Sequence, residues 1–267
     1  MWFYLLPLGG RDVFGTFPFW LGFVYVSFPL GLLIYGWNDF VDTETDRLNP
    51  RKGTFLFGAR ASDSELRRLP FWIVAVQAPF FALYVWLIGA KAFLLLAGLV
   101  AFTWLYNARC FGFKNHPVLD LTNQTGYLLV FVLSSWLNHA PQAPWPTFVF
   151  GALFAMHSHL LGATMDIEPD LAAGRRTTAN AVGRVRAKWL IAGFLLAEAI
   201  LVSVCFGNWI IASGLAFGAL YFIVDAVAIA KDRPYPCPQM AAFLLLWNAA
   251  AILSAPWIWY TAAFTGT

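Results

Sequence analysis

The sequence predicts an all-α fold, a polytopic membrane helical bundle, and three observations carry that prediction. Hydrophobic residues make up 60% of the 267-residue chain and charged residues only 12%, against roughly 25% charged in a soluble domain; the mean hydropathy is +0.66. Apolar stretches long enough to cross about 30 Å of hydrocarbon as helices recur at 14–38, 69–89, 91–108, 118–138, 145–165, 188–206, 208–230 and 239–263. Finally, 15 of the 17 Lys and Arg fall in four loops that alternate correctly with those eight spans.

Taken in order, residues 1–10 are apolar, too short to span, and lack the basic start of a signal peptide; they read as the tail of a truncated first helix. Span 14–38 closes on Asn38-Asp39 and opens the longest polar stretch, 39–69, a length at which loops usually carry function. Spans 69–89 and 91–108 lead to the short basic loop 109–114 and on to 118–138. Span 145–165 runs into Asp166 and a second polar stretch, 166–188, before the last three spans. Both polar stretches have the same layout of helix end, carboxylates and basic residues, which suggests an internal pseudo-repeat. No linker or low-complexity tract divides the chain, so residues 1–267 are expected to form a single domain.

Basic residues are retained on the cytoplasmic side of a membrane. The four basic loops hold Arg47, Arg51, Lys52, Arg60, Arg67 and Arg68; Arg109 and Lys114; Arg175, Arg176, Arg184, Arg186 and Lys188; and Lys231 and Arg233. Only Arg11 and Lys91 lie on the other side. Both acidic stretches are therefore expected to open into the cytoplasm from the cell inner membrane. The net charge of +3 follows from this asymmetry and gives no reason to expect nucleic-acid binding. Cys110, Cys205 and Cys237 are too scattered for a disulfide framework or a zinc site.

Five of the 14 acidic residues form two spaced sets at span ends, Asn38-Asp39-x-x-Asp42-x-x-x-Asp46 and Asp166-x-x-x-Asp170. If the first helix continues through its motif, Asp39, Asp42 and Asp46 share one face; Asp166 and Asp170 share another, with Pro169 expected to distort or end that helix. Hard carboxylate oxygens suit Mg²⁺, which binds through one or two carboxylates together with substrate phosphates. Neighbouring Arg and Lys neutralise the remaining phosphate oxygens. A diphosphate held in this way becomes a good leaving group. The fragment left behind is an allylic carbocation, which needs dry apolar walls and aromatic faces, and the chain has 13 Trp, 9 Tyr and 26 Phe to supply them. Asp63, Glu65 and Asp232 read as solvated, and Glu168 as solvent-facing or supporting its neighbours.

These motifs resemble the UbiA superfamily of intramembrane prenyltransferases. The family's NDxxDxxxD signature is matched by Asn38, Asp39, Asp42 and Asp46, and the following Arg47-Leu48-Asn49-Pro50-Arg51-Lys52 also looks like the family. Its DxxxD signature is matched by Asp166 and Asp170, followed by Gly174-Arg175-Arg176-Thr177-Thr178-Ala179; Tyr106, Lys114, Pro117 and Asp120 resemble the middle loop. The resemblance implies nine helices ringing a lipid-accessible cavity, here eight full spans and a truncated first helix. It implies Mg²⁺ on Asp39, Asp42, Asp46, Asp166 and Asp170, with an isoprenoid diphosphate on Asn38, Arg47, Arg51, Lys52, Tyr106, Lys114, Asp120, Asn123, Arg175 and Arg176. Residues 163–179 look most like the carotenoid branch, the lycopene elongases. Arg109 and Cys110 depart from a usual Pro-Pro pair, and Gly112 stands where an Arg is usual, leaving that phosphate contact unassigned.

The expected acceptor is a hydrophobic molecule within the lipid bilayer, a carotenoid or, alternatively, an aromatic quinone precursor. The scarcity of polar residues inside the spans favours the hydrocarbon. A cation- or proton-coupled transporter is the reading from another class, and it predicts essential charges near the bilayer midplane, where Glu198 and Asp225 lie. Intramembrane charges are costly and hence functional candidates, with pairing between neighbouring helices as the structural alternative. His157 and His159, two residues apart, cannot face the same way; each is open to either a proton-accepting role in the cavity or a helix contact.

Overall fold

The computed structural model describes residues 2–49, 52–54, 56–58, 60–108 and 110–265, without the side chains of residues 44 and 45. The chain is helical nearly throughout. One turn, α1 (Trp2–Leu5), precedes α2 (Phe17–Val41) and α3 (Thr43–Leu48). Next come α4 (Asp63–Ile88), α5 (Lys91–Asn107) and α6 (119–137), the last with a 3-10 segment, Asn123–Leu128, inside it. Then follow α7 (Trp145–Met165), α8 (Ile167–Ala172), α9 (Thr178–Val182), α10 (Arg184–Phe206), α11 (Trp209–Val227) and α12 (Cys237–Thr261).

Every predicted span is present as α2, α4, α5, α6, α7, α10, α11 or α12. Six of these are long and apolar enough to cross a membrane by length and composition. The other two are α5, with 17 residues, and the interrupted α6. The chain is an integral, multi-pass membrane protein. Helix α4 starts six residues before the hydropathy boundary because of a capping box: Ser62 Oγ accepts from Glu65 N–H, and Ser62 N–H donates to Glu65 Oε2 at 2.7 Å. Trp86, Val204 and Leu253 are exposed on the outside of the bundle, as hydrocarbon solvent allows.

One apolar cluster joins α1, α2, α4, α5 and α6, and another is built on α7, α10 and α11. A third, with Leu6, Phe131, Phe150, Val202 and Ile258, ties the two halves together. Each half begins with a helix that breaks at an aspartate. Helix α2 ends where Asp42 takes φ −94° and ψ 11°, and α7 ends where Asp166 takes φ −102° and ψ 10°. Each break is followed by a six-residue helix, and a backbone bond of 2.9 Å crosses it, from Asp46 N–H to Asp42 O or from Asp170 N–H to Asp166 O. The pseudo-repeat therefore has a structural counterpart, the pairs Asp42/Asp46 and Asp166/Asp170. Pro169 falls in the first turn of α8, where a missing N–H costs nothing.

Residues 2–8 pack inward. Tyr4, Leu6 and Leu8 are buried, Tyr4 Oη donates to Phe19 O at 3.0 Å, and Ser134 Oγ donates to Tyr4 O at 2.6 Å. This short segment closes the end of the bundle opposite the aspartates.

Glu198 and Asp225 are both paired between helices. Glu198 Oε1 lies 2.6 Å from His157 Nδ1, joining α10 to α7. Asp225 Oδ2 lies 2.6 Å from both Lys188 Nζ and Tyr235 Oη, joining α10, α11 and the start of the last hairpin. Lys188 and Asp225 are fully buried, and removing one partner of such a pair strands the other charge. Asp225→Ala is expected to cost about 3–5 kcal/mol and Lys188→Met with Asp225→Leu much less, measured by thermal unfolding in detergent.

Candidate active site

The two helix breaks face each other across one end of a cavity of about 700 Å³. Its polar end is lined by Asn38, Asp42, Asp46, Asn49, Lys52, Lys114, Asp166, Asp170 and Arg175; its interior by residues of α2, α5, α6, α7 and α12, ending at Phe3, Val26, Val130, Phe154 and Trp247. Phe154 lies twelve residues along α7 from Asp166, about 18 Å at 1.5 Å per residue.

Asp42 is the centre of the polar end. Its Oδ1 accepts from Lys114 Nζ and lies 2.6 Å from Arg175 Nη2, so one buried carboxylate carries two cations. Arg175 also reaches Asp170, at 3.5 Å, and Lys114 Nζ donates to Asn107 Oδ1 at 3.1 Å. Lys52 bridges Asp39 and Asp46 at 2.8 and 3.0 Å. Asn49 Nδ2 donates to Asp166 Oδ1 at 2.9 Å, tying the first motif's loop to the second motif. Burial pulls the Lys114 ammonium below its usual pKa, opposed by Asp42. Burial also pulls on Lys52, but Asp39 and Asp46 more than offset it and hold that ammonium above its usual value.

The break at Asp42 modifies the expected single helical face. Backbone bonds from Asp42 N–H to Asn38 O and from Asp46 N–H to Asp42 O keep the register, so Asp42 and Asp46 line the cavity. Asp39 stands to one side, with 38% of its side chain exposed, and meets the site through Lys52. Asn38, Tyr106 and Asn123 line the cavity.

Three expected substrate contacts point elsewhere. Arg47, one residue past Asp46 and so on another face of α3, pairs at 2.9 Å with exposed Asp63. Arg176 is exposed beside inward-facing Arg175. Asp120 is fully buried, with Thr178 N–H donating to its Oδ2 at 2.7 Å and Thr178 Oγ1 donating to its Oδ1. It anchors the start of α9 behind the Arg175 loop instead of meeting the cavity. Arg51 and Arg109 lie outside the described residues. Asn49 and Asn107 are site residues that the motif spacing did not single out; the signal for Asn49 was its place in the segment following the first motif.

Gly112 has a steric reason. A Cβ there would lie 2.4 Å from Ala108 O and 2.8 Å from Tyr106 O, so the turn that delivers Lys114 admits only glycine. An arginine at that position would not fit this turn.

Among the described residues, no three His, Cys, Asp or Glu side chains converge on one point as a ready metal cage. The donor set is two opposed pairs of hard carboxylate oxygens, which fits Mg²⁺ completed by water and phosphate rather than an all-protein cage. Counting the lining groups, the carboxylates of Asp42, Asp46, Asp166 and Asp170 exceed the cations Lys52, Lys114 and Arg175 by one. A diphosphate would therefore meet net negative charge unless divalent cations came with it.

A family model described as the UbiA prenyltransferase family matches residues 2–249. The chain belongs to the UbiA prenyltransferase family. This UbiA-family enzyme is similar to a lycopene elongase/hydratase of Halobacterium salinarum, 33% identical over 216 residues that cover 80% of this chain and 75% of that one. It is also similar to a lycopene elongase/hydratase of Corynebacterium glutamicum, 29% identical over 241 residues, 88% of this chain and 80% of that one. Its fold is that of a UbiA homolog from Archaeoglobus fulgidus solved with DMAPP and Mg²⁺, with a TM-score of 0.71 and 19% identity, covering 100% of this chain and 96% of that one. The same homolog bound to GPP and Mg²⁺ gives 0.72.

The paired Glu198 and Asp225 do not line the cavity, so the charges that a transporter would need act as helix contacts in this UbiA-family chain. Asp120→Ala is expected to lower stability by about 1–2 kcal/mol, the scale of a lost helix cap and its hydrogen bonds, as a reduced melting temperature in detergent. Asp46→Asn, at the cavity wall, should leave the melt nearly unchanged.

Proposed function

We propose that this prenyltransferase alkylates a hydrophobic acceptor within the membrane with a prenyl group from an isoprenoid diphosphate, and that the acceptor is the end of a carotenoid and the donor a dimethylallyl diphosphate. The observation that carries the reading is one continuous cavity of about 700 Å³, charged at one end and aromatic at the other, which can hold a diphosphate and a hydrocarbon chain together.

Asp42 and Asp46 on one side and Asp166 and Asp170 on the other would hold Mg²⁺, with Asp39 kept at the edge by Lys52. When bound, the metal would supply stabilisation of the negative charge on the departing group. Lys52, Lys114 and Arg175, bound to those carboxylates in the free enzyme, turn to the phosphate oxygens and favour breakage of the allylic C–O bond. Asn49 keeps the two halves in register. Phe3, Tyr127, Phe154 and Trp247 exclude water and offer ring faces to the allylic cation. The wall also carries Tyr106, Asn123, Gln124, Ser158 and His159, more polar groups than the hydropathy of the spans suggested. The names of the elongase relatives favour the hydrocarbon; an aromatic quinone precursor is the competing acceptor.

The polar end opens to the cytoplasm in this reading, supported by the basic loops around it, with the inner membrane as the site of action. Cys110 is exposed in the middle loop and gives a direct check. In a Cys205→Ser, Cys237→Ser protein, a membrane-impermeant maleimide should label Cys110 in inside-out vesicles and not in right-side-out ones.

The reaction itself is tested with membranes containing the protein, dimethylallyl or geranylgeranyl diphosphate, and lycopene or a naphthoate, with Mg²⁺ or with EDTA. A Mg²⁺-dependent dimethylallyl-lycopene product is expected, and it should fall by about 10²–10³-fold in Asp42→Ala or Asp166→Ala, the scale of losing one charge-stabilising group. A naphthoate product alone would reassign the acceptor, and no product from any pair would refute the reading.

A further inference from the structure

We propose that His159 is the base that ends the reaction by taking the proton from the cation formed on the acceptor; the assignment rests on the prenyl-transfer reading above. Helix α7 carries two imidazoles, and the structure separates them. His157 is buried against α10, 2.6 Å from Glu198 and edge-on to Trp247, and it does not line the cavity. His159 does line it.

The cavity face of α7 is a single stripe: Phe154, Ala155, Ser158, His159, Gly162 and Ala163, running on to Asp166 at the helix end. His159 lies seven residues, two turns, from Asp166 on that stripe, about 10 Å deeper along the helix axis. The turn between them is small-sided, and a Cβ added at Gly162 would meet nothing within 4 Å. Open space therefore lies between the carboxylate that faces the diphosphate and the imidazole below it, where a five-carbon group and the acceptor bond it attacks would sit. Tyr106 fixes the ring from α5, edge-to-face at a centroid distance of 5.8 Å, with its hydroxyl 3.5 Å from Nε2. That contact is at the outer limit of a hydrogen bond, so it orients the imidazole while leaving its lone pair available.

The chemistry balances without a further reactant. The allylic C–O bond breaks and its electron pair leaves with the diphosphate. An acceptor double bond supplies the pair for the new C–C bond, which leaves a cation on the adjoining acceptor carbon. A neighbouring C–H pair closes a new double bond, and its proton moves to Nε2 of His159, which returns it to water at the polar end. Diphosphate and one proton are the co-products. An imidazole two turns below the aspartates can reach that carbon, whereas the carboxylates are engaged at the diphosphate.

The test separates ionisation from coupling. Using the full chain in detergent or membranes with dimethylallyl diphosphate, lycopene and Mg²⁺, His159→Gln and His159→Ala are expected to lose about 100-fold of the coupled alkene, the usual scale of a general base. Mg²⁺-dependent release of diphosphate with dimethylallyl alcohol should continue, and the share of hydroxylated coupled product should rise. Added imidazole should restore the alkene in His159→Ala, and the melting temperature should not move. Coupled alkene at the wild-type rate with the same double-bond position in both variants would overturn the assignment. So would a parallel loss of diphosphate release at an unchanged melting temperature, which would make His159 a donor-binding residue. Wild-type protein that couples no acceptor would instead refute the prenyl-transfer reading on which the assignment stands.

Discussion

The constraint on which the rest of the site depends is the Asp42 carboxylate, buried at the end of an apolar bundle and held by Lys114 and Arg175. A charge moved to the edge of a hydrocarbon phase must be paired, and the three groups come from three separate places: Asp42 from the end of α2, Lys114 from the middle loop and Arg175 from the loop after α8. Satisfying this one group fixes the relative positions of both motifs. The neighbouring contacts extend the arrangement outward, Lys52 to Asp39 and Asp46, and Asn49 to Asp166. On the proposed reading, the same arrangement keeps cations beside the carboxylates that would hold a divalent metal, so that metal binding would free those cations for the phosphate.

Much of the fold was legible because the bilayer imposes a length on each span. Hydropathy located all eight, and errors arose only at ends where local chemistry decides, as where the Ser62–Glu65 box extends α4 beyond its apolar portion. The acidic motifs were legible through their spacing. What spacing could not give was direction at neighbouring positions. Arg175 faces the cavity and Arg176 does not; Lys52 bridges two aspartates while Arg47 pairs with solvent-exposed Asp63. Such choices depend on the helix breaks at Asp42 and Asp166, which hydropathy does not register. The resemblance implies Asp120 at the diphosphate, and only its bonds to Thr178, 58 residues away in sequence, show that it anchors the start of α9. The intramembrane acids posed the same problem: Glu198 and Asp225 could be functional or paired between helices, and their contacts with His157 and Lys188 decide for pairing.

The matched breaks at Asp42 and Asp166 explain why this fold needs two motifs instead of one longer cluster. A helix that ends at the membrane edge can aim only one turn's worth of carboxylates inward, and Mg²⁺ prefers a few carboxylates with waters and phosphate oxygens completing its shell. Two halves, each ending α-break-α with the backbone bond preserved, place one pair on either side of a gap. On the proposed reading the gap holds the diphosphate, and divalent cations supply the positive charge that the lining of the two halves lacks. The proposed reaction is then a property of the assembled halves. That is consistent with the placing of Asn49 and Arg175, which join the two motifs across the site, Asn49 through Asp166 and Arg175 through Asp42 while it also holds Asp170.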